Sequence, residues 1–276
     1  MIYDFHSHST FSDGTLTPAA LLRRAAAQGV GVLALTDHDT TDGLVEAADA
    51  AAPLGITLVK GVEISVTWRN QLLHIVGLGV DPQNMALQSG LGRVREIRAQ
   101  RALRMAQELE RNGIAGAYEG ARRHCRQGIL SRTHFARFLV DQGHARDIQQ
   151  VFKRYLVKGR PGYVSCQWAT LDEAVGWIRA AGGVAVIAHP ARYKLTRAKM
   201  NELLADFVEC GGEAIEVIGS GHNDDDIRLT AAFAGEYGLL ASAGSDFHDP
   251  EGRRELGRIA PLPAHCTPVW EHRALS

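Results

Sequence analysis

Histidines and carboxylates recur in this sequence at spacings suited to metal binding. His6-Ser7-His8 follows a short apolar run, and an i, i+2 pair on an extended chain directs both imidazoles to one side. Ser245-Asp246-Phe247-His248 repeats that spacing with a carboxylate in the first place. His38, in Thr-Asp-His-Asp, and His189, in Ala-His-Pro, each follow an apolar segment. Glu63 in Gly-Val-Glu-Ile-Ser and His74 in Leu-Leu-His-Ile-Val lie inside apolar runs, where a buried carboxylate needs a charge partner or a metal. Taken singly, most have a plain structural reading: Asp13 a turn residue, His38 a surface side chain beside a helix cap, His74 a hydrogen-bonded core histidine. Taken together they are seven of the twelve histidines, His134 included, joined by Asp13, Glu63 and Asp246. Ten ligands are too many for one tetrahedral site and enough for two or three ions. Imidazole with carboxylate suits Mn²⁺, Zn²⁺ or Fe²⁺, and the two oxygens of Glu63 allow it to bridge.

The elements that must position these residues alternate. Ile2–Phe5 reads as a strand. Thr17-Pro18 reads as a helix cap with proline at the first turn, opening a helix that Gly29 stops. Val30–Leu35 is a strand and Asp42–Ala52 a helix. Ile56–Val59, Val62–Val66 and Leu72–Val80 are strand-like. From residue 82 to 165 the β signals thin, and Arg93–Arg111, Ser131–Val140 and Ile148–Leu156 read as helices, with Leu, Met and Ala on one face of the first and Arg on the other. Alternation then resumes: a capping box at Thr170 and Glu173, strands at Val184–Ala188, Ala214–Ile218 and Leu239–Ala243, and helices between. Strand–helix units imply parallel strands, whose carboxyl ends converge on one face. Candidate ligands after nearly every strand suit the mouth of a barrel.

The 276 residues are enough for one such barrel, which needs roughly 250. A net charge of −1 argues against a general nucleic-acid coat. The charge is unevenly placed: residues 93–160 hold sixteen Lys and Arg against six Asp and Glu, so a basic segment is set into an acidic body. Cys125, Cys166, Cys210 and Cys266 form no metal or disulfide spacing. No stretch approaches a membrane span and none resembles a signal peptide, so a cytoplasmic location with no membrane and no obligate protein partner is expected.

The ordered series His6-x-His8, Asp13, Thr-Asp-His38, Glu63, His74, His134, His189 and Ser-Asp246-x-His248 resembles the motifs of the PHP (polymerase and histidinol phosphatase) family across about residues 1–260. The resemblance implies an α/β fold: a distorted (β/α)₇ barrel over 1–81 and 166–276, with an inserted basic helical subdomain, 82–165, covering the active site. It implies a trinuclear metal centre; with the ligand count, two or three divalent ions are expected, Mn²⁺ first, with Zn²⁺ or Fe²⁺ as the other choices. By position, His6, His8, Glu63 and Asp246 would hold one, Asp13, His38 and His248 a second, and Glu63, His74 and His134 a third. Within the family, the inserted subdomain, Ser-Arg132-Thr-His134 and Lys158-Gly-Arg160-Pro-Gly-Tyr163 look like the branch that dephosphorylates nucleoside 3′,5′-bisphosphates and trims RNA from its 5′ end. The expected reaction is loss of the 3′-phosphate from such a bisphosphate by attack of a metal-bridging hydroxide. Glu63, His189 and Asp246 are its catalytic residues; Arg132, His134, Lys158, Arg160 and His189 hold substrate phosphate; Tyr163, Trp68 or Tyr193 stack on the base. The competing expectations are a 5′-to-3′ exoribonuclease on short RNA, a histidinol-phosphate phosphatase, and a non-catalytic metal module.

Overall fold

The computed structural model describes residues 1–219 and 221–275. Seven strands form one mixed sheet in chain order: β1 (Ile2–Asp4), β2 (Val30–Leu35), β3 (Thr57–Trp68), β4 (Gln71–Leu78), β5 (Val184–Ile187), β6 (Ala214–Ile218) and β7 (Leu240–Ala243). The helices between them are α1 (Pro18–Ala27), α2 (Leu44–Ala51), α7 (Leu171–Ala180), α8 (Arg197–Glu209) and α9 (Asp224–Tyr237). Thr17 and Thr170 cap α1 and α7 as the sequence predicts, the latter in a capping box with Glu173.

One strand departs from the parallel expectation. β3 and β4 are antiparallel, and β4 is antiparallel to β5 as well. Only Arg69 and Asn70 join β3 to β4, both at positive φ, 44° and 66°. Such a two-residue turn reverses the chain, and a parallel crossover would need a dozen residues or more. β3 is also one continuous strand across Gly61, where the sequence suggested two.

The ladder continues past the strands and sets the positions of the candidate ligands. His38 forms a parallel bridge with Glu63 beyond the end of β2, with Asp39 N donating to Glu63 O and Glu63 N to Asp37 O. Beyond β1 and β7, Ser7 bridges Phe247, Asp246 N donates to His6 O, and His8 N donates to Phe247 O. The first and last strands therefore meet at the end that carries the ligands. Gly244 makes the approach feasible: a Cβ there would lie 2.4 Å from His6 Cβ.

Between β4 and α7 the chain forms α3 (Met85–Arg111), α4 (Ala117–His124), α5 (Arg132–Asp141) and α6 (Ile148–Val151), followed by one wide turn over Phe152–Leu156. The sequence reading started α3 eight residues late, because Gly90 and Gly92 interrupt its pattern. Gly90 is a packing residue: a Cβ there would lie 2.3 Å from the Trp177 ring of α7. Leu87, Leu91 and Val94 of α3 join the main core, while Ala102, Met105 and Leu109 pack with Ala117, Phe135, Leu139 and Leu156 in a separate apolar cluster. The tail also has a place: Trp270 stacks on Tyr3, ring centroids 4.3 Å apart.

Candidate metal centre

Five imidazoles surround the carboxylate of Glu63. Its Oε2 lies 3.3 Å from His6 Nε2, 3.3 Å from His8 Nε2 and 2.9 Å from His38 Nδ1. Its Oε1 lies 2.9 Å from His74 Nδ1 and 3.0 Å from His189 Nε2. Asp246 Oδ1 approaches His8 Nε2 at 3.2 Å and His6 Nε2 at 3.5 Å. On the other side, Asp13 Oδ1 faces His248 Nε2 at 3.2 Å and His38 Nε2 at 3.8 Å. Among the described residues the closely spaced ligand atoms fall into three overlapping groups: His6, His8 and Glu63; His8, Asp13, His38 and His248; and His38, Glu63 and His74.

The residues fit divalent metal on an observation independent of spacing. Asp13 Oδ1, His38 Nδ1, Glu63 Oε2 and His189 Nδ1 are buried and make no hydrogen bond. The first three face neighbouring nitrogen or oxygen atoms, close enough for charge to act and misaligned for a proton to be shared. Each such buried orphan costs about 1–3 kcal/mol. Lone pairs converging on common points are what a bound cation satisfies.

The charges are consistent with that. Glu63 is buried, which opposes ionisation, yet His38, His74 and His6 hold its carboxyl well below the usual range. Burial likewise opposes charge on Asp246, and Arg192, His6 and His248 overcome it. His8 is pushed up to about 9: burial works against its charged form, and the neighbouring carboxylates of Asp246 and Glu63 outweigh it. His6 rises well above the ordinary value despite burial, through Glu216, Glu63 and Asp246. Protons on His6 and His8 thus sit where metal charge would. His189 goes the other way, to about 4, because burial dominates.

A second layer fixes the ligands. Glu216, in the middle of β6, accepts from His6 Nδ1 at 2.5 Å and from His189 N at 2.5 Å, so His6 turns Nε2 toward the cluster. Asp246 Oδ2 accepts from Arg192 and Arg254, leaving Oδ1 for the centre. Asp37 holds the loop after His8 through Ser9 and Ser12. Asp39 takes Ser65 N at 2.7 Å and pairs with Arg98. Asp39, His189 and Asp246 all adopt positive φ, the kind of backbone strain that collects at working sites.

The ligand cluster forms the floor of a cavity of about 890 Å³ whose wall is basic and aromatic. Arg98, Arg101, Arg132, Lys158 and Arg192 line it, with Phe152, Tyr163, Trp168 and Tyr193. Arg101 and Arg132 form no ion pair with a carboxylate among the described residues. Burial, then the nearby Arg132, lowers Arg101 to about 10; burial, then Arg98, lowers Arg132. These guanidinium groups keep their charge at neutral pH in positions that disfavour it.

Three expected residues are placed elsewhere. His134 lies on α5 in none of the three ligand groups: as the third residue of the helix, its Nδ1 accepts from Ser131 N at 2.9 Å, and burial lowers its pKa to about 4. Its neighbours Ser131 and Thr133 do reach the centre, donating to Asp13 Oδ2 at 3.2 and 2.9 Å. Arg160 faces away from the cavity, because Gly159 at φ 79° turns the chain between it and Lys158. Trp68 packs into the main core, away from the cavity, and donates to Asp206. Sequence reasoning missed Glu216, Arg98, Arg101, Arg192 and Arg254. Glu216 carried the same signal as Glu63, a lone carboxylate in an apolar strand.

Known proteins resemble this chain in sequence and fold. The PHP domain signature matches residues 4–157. A 3′,5′-nucleoside bisphosphate phosphatase of Chromobacterium violaceum is 52% identical, over 97% of this chain and 94% of that one. The 5′-3′ exoribonuclease Rnm of Escherichia coli is 45% identical, over 98% and 93%. The solved structure of an amidohydrolase from Chromobacterium violaceum with bound sulfate superposes with a TM-score of 0.95 at 51% identity, covering 98% of this chain and 95% of that one. A solved structure from Bifidobacterium adolescentis, 26% identical, gives a TM-score of 0.84 over 97% and 92%. The chain is a hydrolase of the PHP domain family.

Proposed function

We propose that this chain removes the 3′-phosphate of nucleoside 3′,5′-bisphosphates, in a distorted (β/α)₇ barrel, 1–81 and 166–276, covered by the insertion 82–165. The observation that carries this reading is one cavity with a shared carboxylate–imidazole floor and, in its wall, two guanidinium groups without a carboxylate partner among the described residues, Arg101 buried and Arg132 half-buried. A substrate with one phosphate needs the floor alone. A substrate with two uses both, and the second anion relieves the mutual repulsion of Arg101 and Arg132. The 52% identical relative named for that activity supports the assignment. The meeting of the first and last strands at the ligand end supports closure into a barrel.

His6, His8, Asp13, His38, Glu63, His74, Asp246 and His248 would hold two or three divalent ions, with Mn²⁺ our first choice for so oxygen- and nitrogen-rich a set. When bound, such ions bring the pKa of water toward neutrality and offset charge on phosphoryl oxygens. The protein's own part is positional. Glu216 and the two arginines on Asp246 fix the ligand geometry. Arg132 and Lys158 orient the distal phosphate, and Tyr163 stacks on the base; the Phe152 and Trp168 rings instead back the guanidinium groups of Arg132 and of Arg98 and Arg101. His189, neutral and with a free buried Nδ1, is placed to exchange a proton with the leaving oxygen or to donate to a phosphoryl oxygen.

The test is phosphate release from adenosine 3′,5′-bisphosphate with Mn²⁺, beside histidinol phosphate, 3′-AMP, 5′-AMP and a 5′-phosphorylated trinucleotide. The reading predicts that the bisphosphate is turned over fastest and yields 5′-AMP. Preference for histidinol phosphate would overturn the substrate while leaving the metal site intact. A second reading, 5′-to-3′ trimming of short RNA, is favoured by the 45% identical exoribonuclease and shares the same chemistry.

A further inference from the structure

The turn that gives the cavity part of its wall has an opposite side. Phe152 and Lys158 face the cavity, while Lys153, Arg154, Tyr155 and Arg160 line a depression of about 420 Å³ on the outer surface, with Gln150 at its edge. Between Gln142 and Thr170 the sequence has five cations and a single acid, Asp147. That acid is engaged: Asp147 caps α6 by accepting from Gln150 N at 2.7 Å and pairs with Arg146 at 2.9 Å. Lys153 and Arg160 are exposed and form no ion pair among the described residues. Arg154 donates only to a backbone carbonyl, His144 O, at 3.3 Å. The Tyr155 ring is half-buried and held edge-on to His144, centroids 6.3 Å apart. A surface that serves only solubility intersperses both signs of charge; here one sign is concentrated beside an aromatic ring.

We propose that this depression binds the backbone of a single-stranded nucleic acid whose terminal nucleotide occupies the cavity. The inference rests on the nucleotide reading of that cavity and extends it outward. Lys158, on the cavity side, and Arg160, on the outer side, are separated by one glycine, so the basic lining runs over the rim without a break. Unpaired cations follow a phosphodiester chain, and a ring at their centre stacks on a base whatever its identity. The depression adds affinity with length and contributes nothing to a mononucleotide.

The experiment uses the full-length, Mn²⁺-loaded protein and a 5′-phosphorylated, 3′-fluorescein 2′-O-methyl RNA octamer, read by anisotropy, beside the corresponding dimer. Lys153→Ala/Arg154→Ala is the main variant. Losing two phosphate contacts lowers the slope of log affinity against log salt by about 1.4, which is about a sevenfold difference between 50 and 200 mM salt. The octamer shows that loss and the dimer does not, while adenosine 3′,5′-bisphosphate turnover stays at the wild-type rate. Tyr155→Leu keeps the apolar packing, removes the ring face, and weakens the octamer on the order of tenfold. Arg228→Glu, on α9, controls for net charge and leaves binding unchanged. Octamer affinity unaffected by Lys153→Ala/Arg154→Ala overturns the proposal. Equal loss for octamer and dimer also overturns it, by placing these residues in the cavity. Inorganic polyphosphate that binds as tightly as the octamer, with no effect of Tyr155→Leu, would make the surface a general polyanion site and overturn the nucleic-acid assignment. Because binding is read apart from turnover, failure of the substrate assignment would appear separately, as an inert bisphosphate.

Discussion

Replacing Glu216 with Gln tests whether the layer behind the ligands sets metal affinity. The carboxylate receives two donors, His6 Nδ1 and His189 N, each at 2.5 Å, and both oxygens are used. Glutamine fits the space but offers one acceptor oxygen and an NH₂ group, so one donor is left facing another donor. If His6 loses its anchor, its Nε2 no longer points steadily at the centre; partners of this kind are worth about 10- to 100-fold in metal affinity, or roughly 1.4–2.7 kcal/mol. Metal that binds only the folded state stabilises it by RT ln(1 + [M]/Kd), so the Mn²⁺-induced gain in stability should shrink by the same amount. For 276 residues the unfolding entropy near 60 °C is about 0.58 kcal/mol/K, so the metal-induced rise in Tm should be about 2–5 °C smaller than in the wild type. The assay is calorimetric titration of EDTA-stripped protein with Mn²⁺, paired with thermal scans at fixed free metal. In a His6→Ala background, Glu216→Gln should cost little more, since both act through one imidazole. A folded Glu216→Gln protein with wild-type Mn²⁺ affinity, or full additivity with His6→Ala, would refute the reasoning.

Further outcomes follow from the same geometry. Metal should displace protons from His6 and His8, the latter at about 9, so Mn²⁺ affinity should climb with pH up to about 9 and the binding heat should vary with buffer ionisation enthalpy; affinity that is flat between pH 6.5 and 8.5 would count against it. His134 is buried and neutral with a folded pKa of about 4, below its unfolded value near 6.5, so the unfolded state binds more protons between the two. Its contribution is therefore intact above pH 6.5 and lost as pH falls toward 4. Urea unfolding of metal-free protein should show His134→Asn, which retains an acceptor for Ser131 N–H, losing about 2 kcal/mol less than wild type between pH 7 and 5. Arg98→Leu leaves the buried Asp39 without its cation and should destabilise by about 3 kcal/mol, with Asp39→Asn in the same chain recovering part of that in denaturant melts.

The ligands were legible because metal sites leave polar residues where apolar ones belong. Glu63 and His74 interrupt apolar strands, and His6, His8, Asp246 and His248 follow them at the i, i+2 spacing an extended chain needs. The same logic, applied to Ala-Ile-Glu-Val-Ile, would have found Glu216. The direction of β4 was hidden because its turn is Arg-Asn, without the glycine that usually marks a reversal with two positive φ values. The pattern of α3 sets Arg on the face opposite Leu, Met and Ala, yet Arg98 and Arg101 continue the buried stripe of Leu91 and Val94; only the position of that helix over the cavity explains why cations stand there. Lys158 and Arg160 looked equivalent in sequence, and the backbone of one glycine separates their roles. His134 matched a motif, but its ring satisfies the first turn of its own helix, a local use that a list of ligand types does not reveal.

The most direct test of the central claim is phosphate release from adenosine 3′,5′-bisphosphate by EDTA-stripped protein as Mn²⁺ is returned, for wild type and Glu63→Gln. The cluster around Glu63 predicts no turnover in the stripped protein and recovery as two or three Mn²⁺ ions bind per chain, with Glu63→Gln binding fewer ions and staying inactive. Turnover that persists without metal, or that survives Glu63→Gln, would contradict it.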